Sequence, residues 1–174
     1  VSDRSLRLLA LSGKATGKQI QSFSSVEVPE GLIQHAEIKD QEAVSELIRT
    51  LVERAKPKKP KTNKVVAGIP EAQVYSMHVT APAGITGEEL DQLVLKKALT
   101  MLPFTLETIA WDYNILSTGE TDHDILFAAV RKEIVEGYAN TITLAGLDLV
   151  ALEPESTSLV RSLVTKDLVQ EGKG

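Results

Sequence analysis

The sequence predicts a mixed α/β fold, on three observations. Runs with a period of two alternate with runs of helical period along the chain. The first third reads strand, strand, helix, strand. The middle reads strand, helix, strand, strand, helix, strand, which is a compact α+β unit in its own right.

Bulk properties bound the function. The 174 residues are enough to bury a core without disulfides or metals. Hydrophobic residues make up 43% and charged residues 25%, both ordinary for a globular protein. Aromatics are only 4%, so Leu, Val, Ile and Ala must fill the core. The absence of cysteine removes disulfides, thiol chemistry and cysteine-ligated zinc, and fits a reducing compartment. The longest apolar runs, such as Ile125 to Val130, are far too short to cross a bilayer. No basic segment followed by a long apolar stretch opens the chain, so no signal peptide is expected. The net charge of -5 argues against nucleic-acid binding. One local exception is Lys56 to Lys64, with five lysines and two prolines. It reads as a solvated linker, with a phosphate-touching patch as the other reading.

The elements follow in order. Ser5 to Ser12 alternates with mostly apolar residues on both parities, so it is expected to be a strand largely buried on both sides. Gly13 to Gly17 supplies a turn, and Lys18 to Val28 alternates again, giving a hairpin. Asp40 is the expected N-cap of a helix carrying Val44, Leu47, Ile48 and Leu51 at helical spacing. Val65 to Ile69 is a short apolar strand closed by Pro70. Gln73 to Thr80 is the next strand. Thr86 is expected to cap a helix from Gly87 to Leu102, whose apolar stripe is interrupted by Lys97 and which Pro103 stops. Thr108 to Leu116 and Asp124 to Arg131 form a strand pair joined by the polar loop Ser117 to His123. Lys132 to Ala145 is a helix ended by Gly146 as a left-handed C-cap, Leu147 to Leu152 a strand, and Ser156 starts the last helix.

The candidate chemistry is sparse. His35, His78 and His123 are far apart, without the spacing of a metal site. Glu153 with Glu155, and Asp122 with Asp124, read as solvating and capping acids rather than a general acid–base pair. Ser117 sits in a turn and not in a nucleophile elbow. GKATGK from Gly13 to Lys18 lacks the spacing and ending of a P-loop and reads as a hairpin turn. No catalytic residue and no metal ligand is assigned. Trp111 and Tyr113 read as core, with an exposed recognition face as the alternative. Two readings of Arg131 stand: a pair with Asp112 across the hairpin, or a grip on a peptide carbonyl.

Four phrases in order carry a family resemblance: VPEGLIQHAEIKDQEAVSELIRTLVERA, KVVAGIPEAQVYSMHVTAP, ITGEELDQLVLKKALTMLPFTLETIAWDYNIL and ILFAAVRKEIVEGYANTITLAGLDLVALEPES. Together they resemble the PilM family of type IV pilus assembly proteins across essentially the whole chain. The resemblance implies a partial actin-like, ribonuclease H-like subdomain over 1–70 and 147–174. An FtsA-type α+β subdomain is expected as an insertion over 71–146. It implies a cytoplasmic scaffold beneath the inner membrane, held there by partners, that binds the N-terminal tail of a PilN-like membrane protein. The alternatives are a piece of an ATP-hydrolysing actin-like protein, or a self-assembling FtsA-like structural protein. Ser2, Asp3, Ser5 and Arg7 correspond to the end of the family's first phosphate loop, with Ser2 where Gly is usual and Arg7 in place of Lys. The remaining phosphate and adenosine motifs are expected after Gly174. No cofactor is therefore expected for this chain, with ATP and Mg confined to a complete parent protein. An apolar patch and a homo-oligomer are expected where the actin-like layer lacks cover. Arg131, Asp112, Tyr75 and Pro103 are the expected partner-binding residues, at strand and helix ends bordering the two subdomains.

Overall fold

The computed structural model describes residues 1–13 and 19–163. The expected turn from Gly13 to Gly17 and the end of the last helix at Val164 lie outside them. Strands run over Ser5–Ser12 (β1), Gln19–Glu27 (β2), Ile33–Gln34 (β3), Glu37–Ile38 (β4), Lys56–Pro57 (β5), Lys64–Ile69 (β6), Tyr75–Pro82 (β7), Ile109–Thr118 (β8), Asp122–Arg131 (β9) and Asp148–Pro154 (β10). Helices run over Gln41–Glu53 (α1), Glu88–Leu99 (α2), Lys132–Leu144 (α3) and Glu155–Leu163 (α4). The chain divides into two compact units, Val1–Ala72 with Glu136–Gly174, and Gln73–Val135. Most of α3, from Glu136 on, thus groups with the first unit, although the sequence reading places residues up to 146 in the insertion. The cause is packing: Ile142 is buried among Leu6, Val26, Val44 and Ile48.

In the first unit, β1 and β2 are antiparallel from Ser5 opposite Glu27 to Ser12 opposite Gln19, and β5 pairs with β2 on the far side. A separate parallel pair joins β6 to β10. Helix α1 forms where the apolar spacing predicts it. Asp40 caps it by accepting a hydrogen bond from the Ala43 N–H at 2.9 Å, and Val44, Ile48 and Leu51 turn inward. Gly146 takes φ +82°, the left-handed value that ends a helix, and the Leu147 N–H reaches back to the Ile142 carbonyl. The sequence reading missed β3 and β4. Their connecting residues His35 and Ala36 have φ of 51° and 62°, a conformation usually left to Asn or Gly.

The expectation that β1 is buried on both faces is not met among the described residues. Leu6 is buried, yet Leu9 is 60% exposed and Leu11 47%. The lysine segment is also less free than a linker. Lys56 lies opposite Phe23, and the Ser22 hydroxyl donates to the Lys58 carbonyl at 2.6 Å.

The second unit is one three-stranded antiparallel sheet, in the order β7-β9-β8, covered by α2. Leu90, Val94 and Ala98 recur every fourth residue along α2, and all are buried against Val79, Ile109, Ile125 and Phe127. Trp111 stacks on Phe127 at 5.9 Å, so it belongs to this core. The charge that interrupts the α2 stripe is satisfied, because the Lys97 ammonium donates to the Thr80 carbonyl at 2.7 Å. Thr86 is not the cap: Gly87 holds that place with φ +60°, a conformation Thr rarely adopts, and α2 starts without a side-chain cap. The β8–β9 hairpin runs further than predicted, its turn closed by the Gly119 N–H on the Asp122 carbonyl at 2.7 Å.

Candidate functional site

Three of the four residues matched to a phosphate loop, where backbone N–H groups would cradle a phosphate, make local hydrogen bonds. Such a cradle needs free backbone N–H groups. Here the Ser2 N–H donates to the Ser5 carbonyl at 3.0 Å, and the Ser5 N–H donates to the Ser2 hydroxyl at 3.1 Å. The two hydroxyls lie 3.2 Å apart. Asp3 is spent as well. Its carboxylate accepts from the His35 and Ala36 N–H groups at 2.8 and 2.9 Å, holding the left-handed turn between β3 and β4. The Tyr138 hydroxyl secures the same turn by donating to the Ala36 carbonyl at 3.0 Å, and burial pushes that phenol well above its ordinary range. Ser2, Asp3 and Ser5 therefore act in local structure.

Arg7 goes elsewhere. With Leu8, Leu9, Phe23, Ser24, Ser25, Arg54 and Lys56 it lines an open cavity of about 540 Å³. The register explains the grouping: Leu9 lies opposite Phe23, and Arg7 opposite Ser25.

The partner-binding candidates lie in the second unit. Tyr75 pairs with Ala129 at one end of the sheet, and Arg131 ends β9 opposite Ile109. Both share the face of the sheet that carries Phe127 and Ile109. Tyr75 packs edge-on against Phe104 at 4.9 Å, which brings the exposed Pro103 loop to the same end. Asp112 is different: it lies opposite Ala128, on the other face, and accepts from the Tyr113 N–H at 2.8 Å. The register therefore separates Arg131 from Asp112, and Arg131 ion-pairs with Glu133 of the following helix. Tyr75 and Arg131 thus share one face of the sheet and Pro103 precedes Phe104 beside Tyr75, while Asp112 lies on the other face.

The remaining titratable groups offer little chemistry. His78 sits 3.2 Å from Asp124 on the exposed face, and the buried Nδ1 of His123 has no hydrogen-bond partner among the described residues. Among the described residues, no group of three acidic, His or Cys side chains is placed to hold a metal ion. Tyr113 donates to Asp91 at 2.6 Å, tying β8 to α2, and this bond raises its pKa to about 12.

Two solved structures share this mixed α/β fold. One is a PilM–PilN type IV pilus biogenesis complex, with a TM-score of 0.82, 23% identity, and coverage of 94% of this chain and 48% of that one. The other is the cytoplasmic domain of EpsL, an inner membrane component of the type II secretion system of Vibrio cholerae. It matches with a TM-score of 0.50 and 16% identity, over 87% of this chain and 53% of that one. The chain thus spans about half the length of these relatives. The family model for type IV pilus assembly protein PilM matches residues 1–174, and the chain belongs to that family.

Proposed function

We propose that this chain is a binding module of type IV pilus assembly that captures the N-terminal tail of a PilN-like membrane protein. It acts at the cytoplasmic face of the inner membrane. Membership of the PilM family over residues 1–174 carries this reading. No described helix is long and apolar enough to cross a membrane, so attachment through a partner is consistent with the fold. An extended tail is taken at the sheet end that carries Tyr75, Arg131 and the Pro103 loop. Backbone groups at a strand end satisfy the peptide, the guanidinium grips a carbonyl, and the ring contacts an apolar side chain. Asp112, on the opposite face, has at most an indirect part.

Nucleotide binding is not expected of this chain, because Ser2, Asp3 and Ser5 already satisfy one another and the β3–β4 turn. Titration calorimetry with Mg-ATP should give no saturable heat in the micromolar range. The tail reading is tested by fluorescence anisotropy with a labelled PilN-type tail peptide, comparing the native chain with Arg131→Ala. The expected result is micromolar binding, weakened about tenfold or more by the substitution. Equal binding to both proteins removes Arg131 from the site, and no binding to either rejects the reading.

A further inference from the structure

Among the described residues, β7 and β8 are the edge strands of the β7–β9–β8 sheet, each paired only with β9. Every second residue of an edge strand turns its N–H and C=O away from the partner, and each such group is a place where a further strand can bond. On both edges a charged side chain takes one of these groups. The Tyr113 N–H on β8 donates to the carboxylate of its own neighbour, Asp112, at 2.8 Å. The Thr80 carbonyl on β7 accepts from the Lys97 ammonium of α2 at 2.7 Å. Both bonds are made within the second unit, Gln73–Val135. The β8 edge has the greater need of closure. Ile109–Thr118 reads IAWDYNILST, rich in aromatic, β-branched and other apolar residues, without Gly or Pro, and with Asp112 as its one charge. A segment of that composition at a sheet edge pairs with its own copy.

We infer that Asp112 is an edge guard: its carboxylate closes β8 against antiparallel pairing with β8 of a second copy of this chain, while Lys97 closes β7 through a carbonyl. A strand arriving at β8 must take the Tyr113 N–H from the carboxylate. It must also enclose the charge between two strands, and the run from Ile109 to Thr118 holds no cation to pair with it. In a two-fold antiparallel pair both copies carry this cost. The register shift between Ile115 and Ser117 breaks the regular edge just beyond the guarded amide and shortens the length over which a strand can pair. The β7 edge is protected further by Pro82 at its end, which has no N–H to offer. A contact of Asp112 with a partner tail would use the same carboxylate, and the experiment separates the two roles.

Sedimentation velocity over a concentration series compares the native chain with Asp112→Thr, which keeps a strand-forming residue without the charge, and with Asp112→Glu, which keeps the charge. Asp112→Thr should self-associate about tenfold or more tightly than the native chain, and Asp112→Glu should behave as the native chain does. Hydrogen exchange read by NMR locates the contact: the Trp111 and Ile115 amides should gain protection with concentration in Asp112→Thr only. Capture of the tail peptide, measured below the concentration of association, should be the same in Asp112→Thr and the native chain. A urea melt of each variant shows whether it is folded. If Asp112→Thr does not fold, the native chain decides: its Tyr113 amide should be protected, and its Trp111 amide should gain no protection with concentration. No gain of self-association in folded Asp112→Thr, an equal gain in Asp112→Glu, a gain that leaves the β8 amides unprotected, a loss of tail capture confined to the variant, or concentration-dependent protection of β8 in the native chain each overturn the proposal.

Discussion

Two three-stranded antiparallel sheets in this chain treat their outer faces in opposite ways. The β7–β9–β8 sheet packs Val79, Ile109, Ile125 and Phe127 against α2. Its other face carries Ser76, His78 and Thr80 on β7, Asp112 and Asn114 on β8, and Asp124 on β9, with Leu126 and Ala128 half-buried between them. That is the alternation of a sheet with one wet side. The β1–β2–β5 sheet buries Leu6 and Val26 on its inner face, and sets Leu9, Leu11, Ile20 and Phe23 in water on its outer face. Exposed apolar residues also occur in the second unit: Met101 and Leu106 lie between α2 and β8, Ile115 and Leu116 lie toward the tip of the β8–β9 hairpin, and Tyr75 starts β7. The contrast is between a sheet whose outer face has no cover among the described residues and a sheet with one packed and one polar face.

The comparison breaks most visibly in the closed core. Phe127→Ala empties a fully buried site under α2 and should cost about 3–5 kcal/mol. Urea denaturation followed by Trp111 fluorescence reads this directly, because Trp111 stacks on Phe127. A loss below about 1 kcal/mol would mean that the second unit is not sealed as described.

A smaller effect is expected at the entry to the first sheet. Asp3→Ala leaves the His35 and Ala36 N–H groups without their acceptor in a turn that residues other than Gly adopt at a cost. The expected loss is about 1–3 kcal/mol, read as a shifted urea midpoint, with peptide capture in the second unit retained. If Asp3→Ala is neutral, the carboxylate is not what holds the turn.

The smallest effect appears with pH. The bond to Asp91 raises Tyr113 from its ordinary value of 10 to about 12. The folded state therefore keeps this proton while the unfolded chain releases it. The stabilisation is complete below pH 10 and is lost as pH rises from 10 through about 12. Tyr113→Phe should show a flatter decline in thermal midpoint over that window. An identical slope in both proteins would show that the bond contributes nothing.

Local pattern made part of this legible in the sequence. Val44, Leu47, Ile48 and Leu51 behind Asp40 define α1, and the alternation from Ile109 to Ile115 defines β8, because each signal lies within one element. The β3–β4 hairpin was hidden, since His35 and Ala36 carry no turn chemistry of their own and are held by Asp3 and Tyr138 from far along the chain. β5 was hidden because a Lys-Pro pair reads as linker until Phe23 is known to lie beside it. The apolar alternation of β1 was visible, but residue types do not say whether an apolar face has cover. The cavity was out of reach for the same reason: only the register joins Arg7 and Phe23 to Arg54 and Lys56.

The central claim is that Leu9 and Phe23, on the outer face of the first sheet, do not belong to the core of this unit. Urea denaturation of the double variant Leu9→Thr/Phe23→Thr tests it most directly. Both side chains already stand mostly in water, and threonine keeps the strand, so the unfolding free energy should change by no more than about 0.5 kcal/mol. A destabilisation of about 2 kcal/mol or more, the size of a core truncation, would contradict the account.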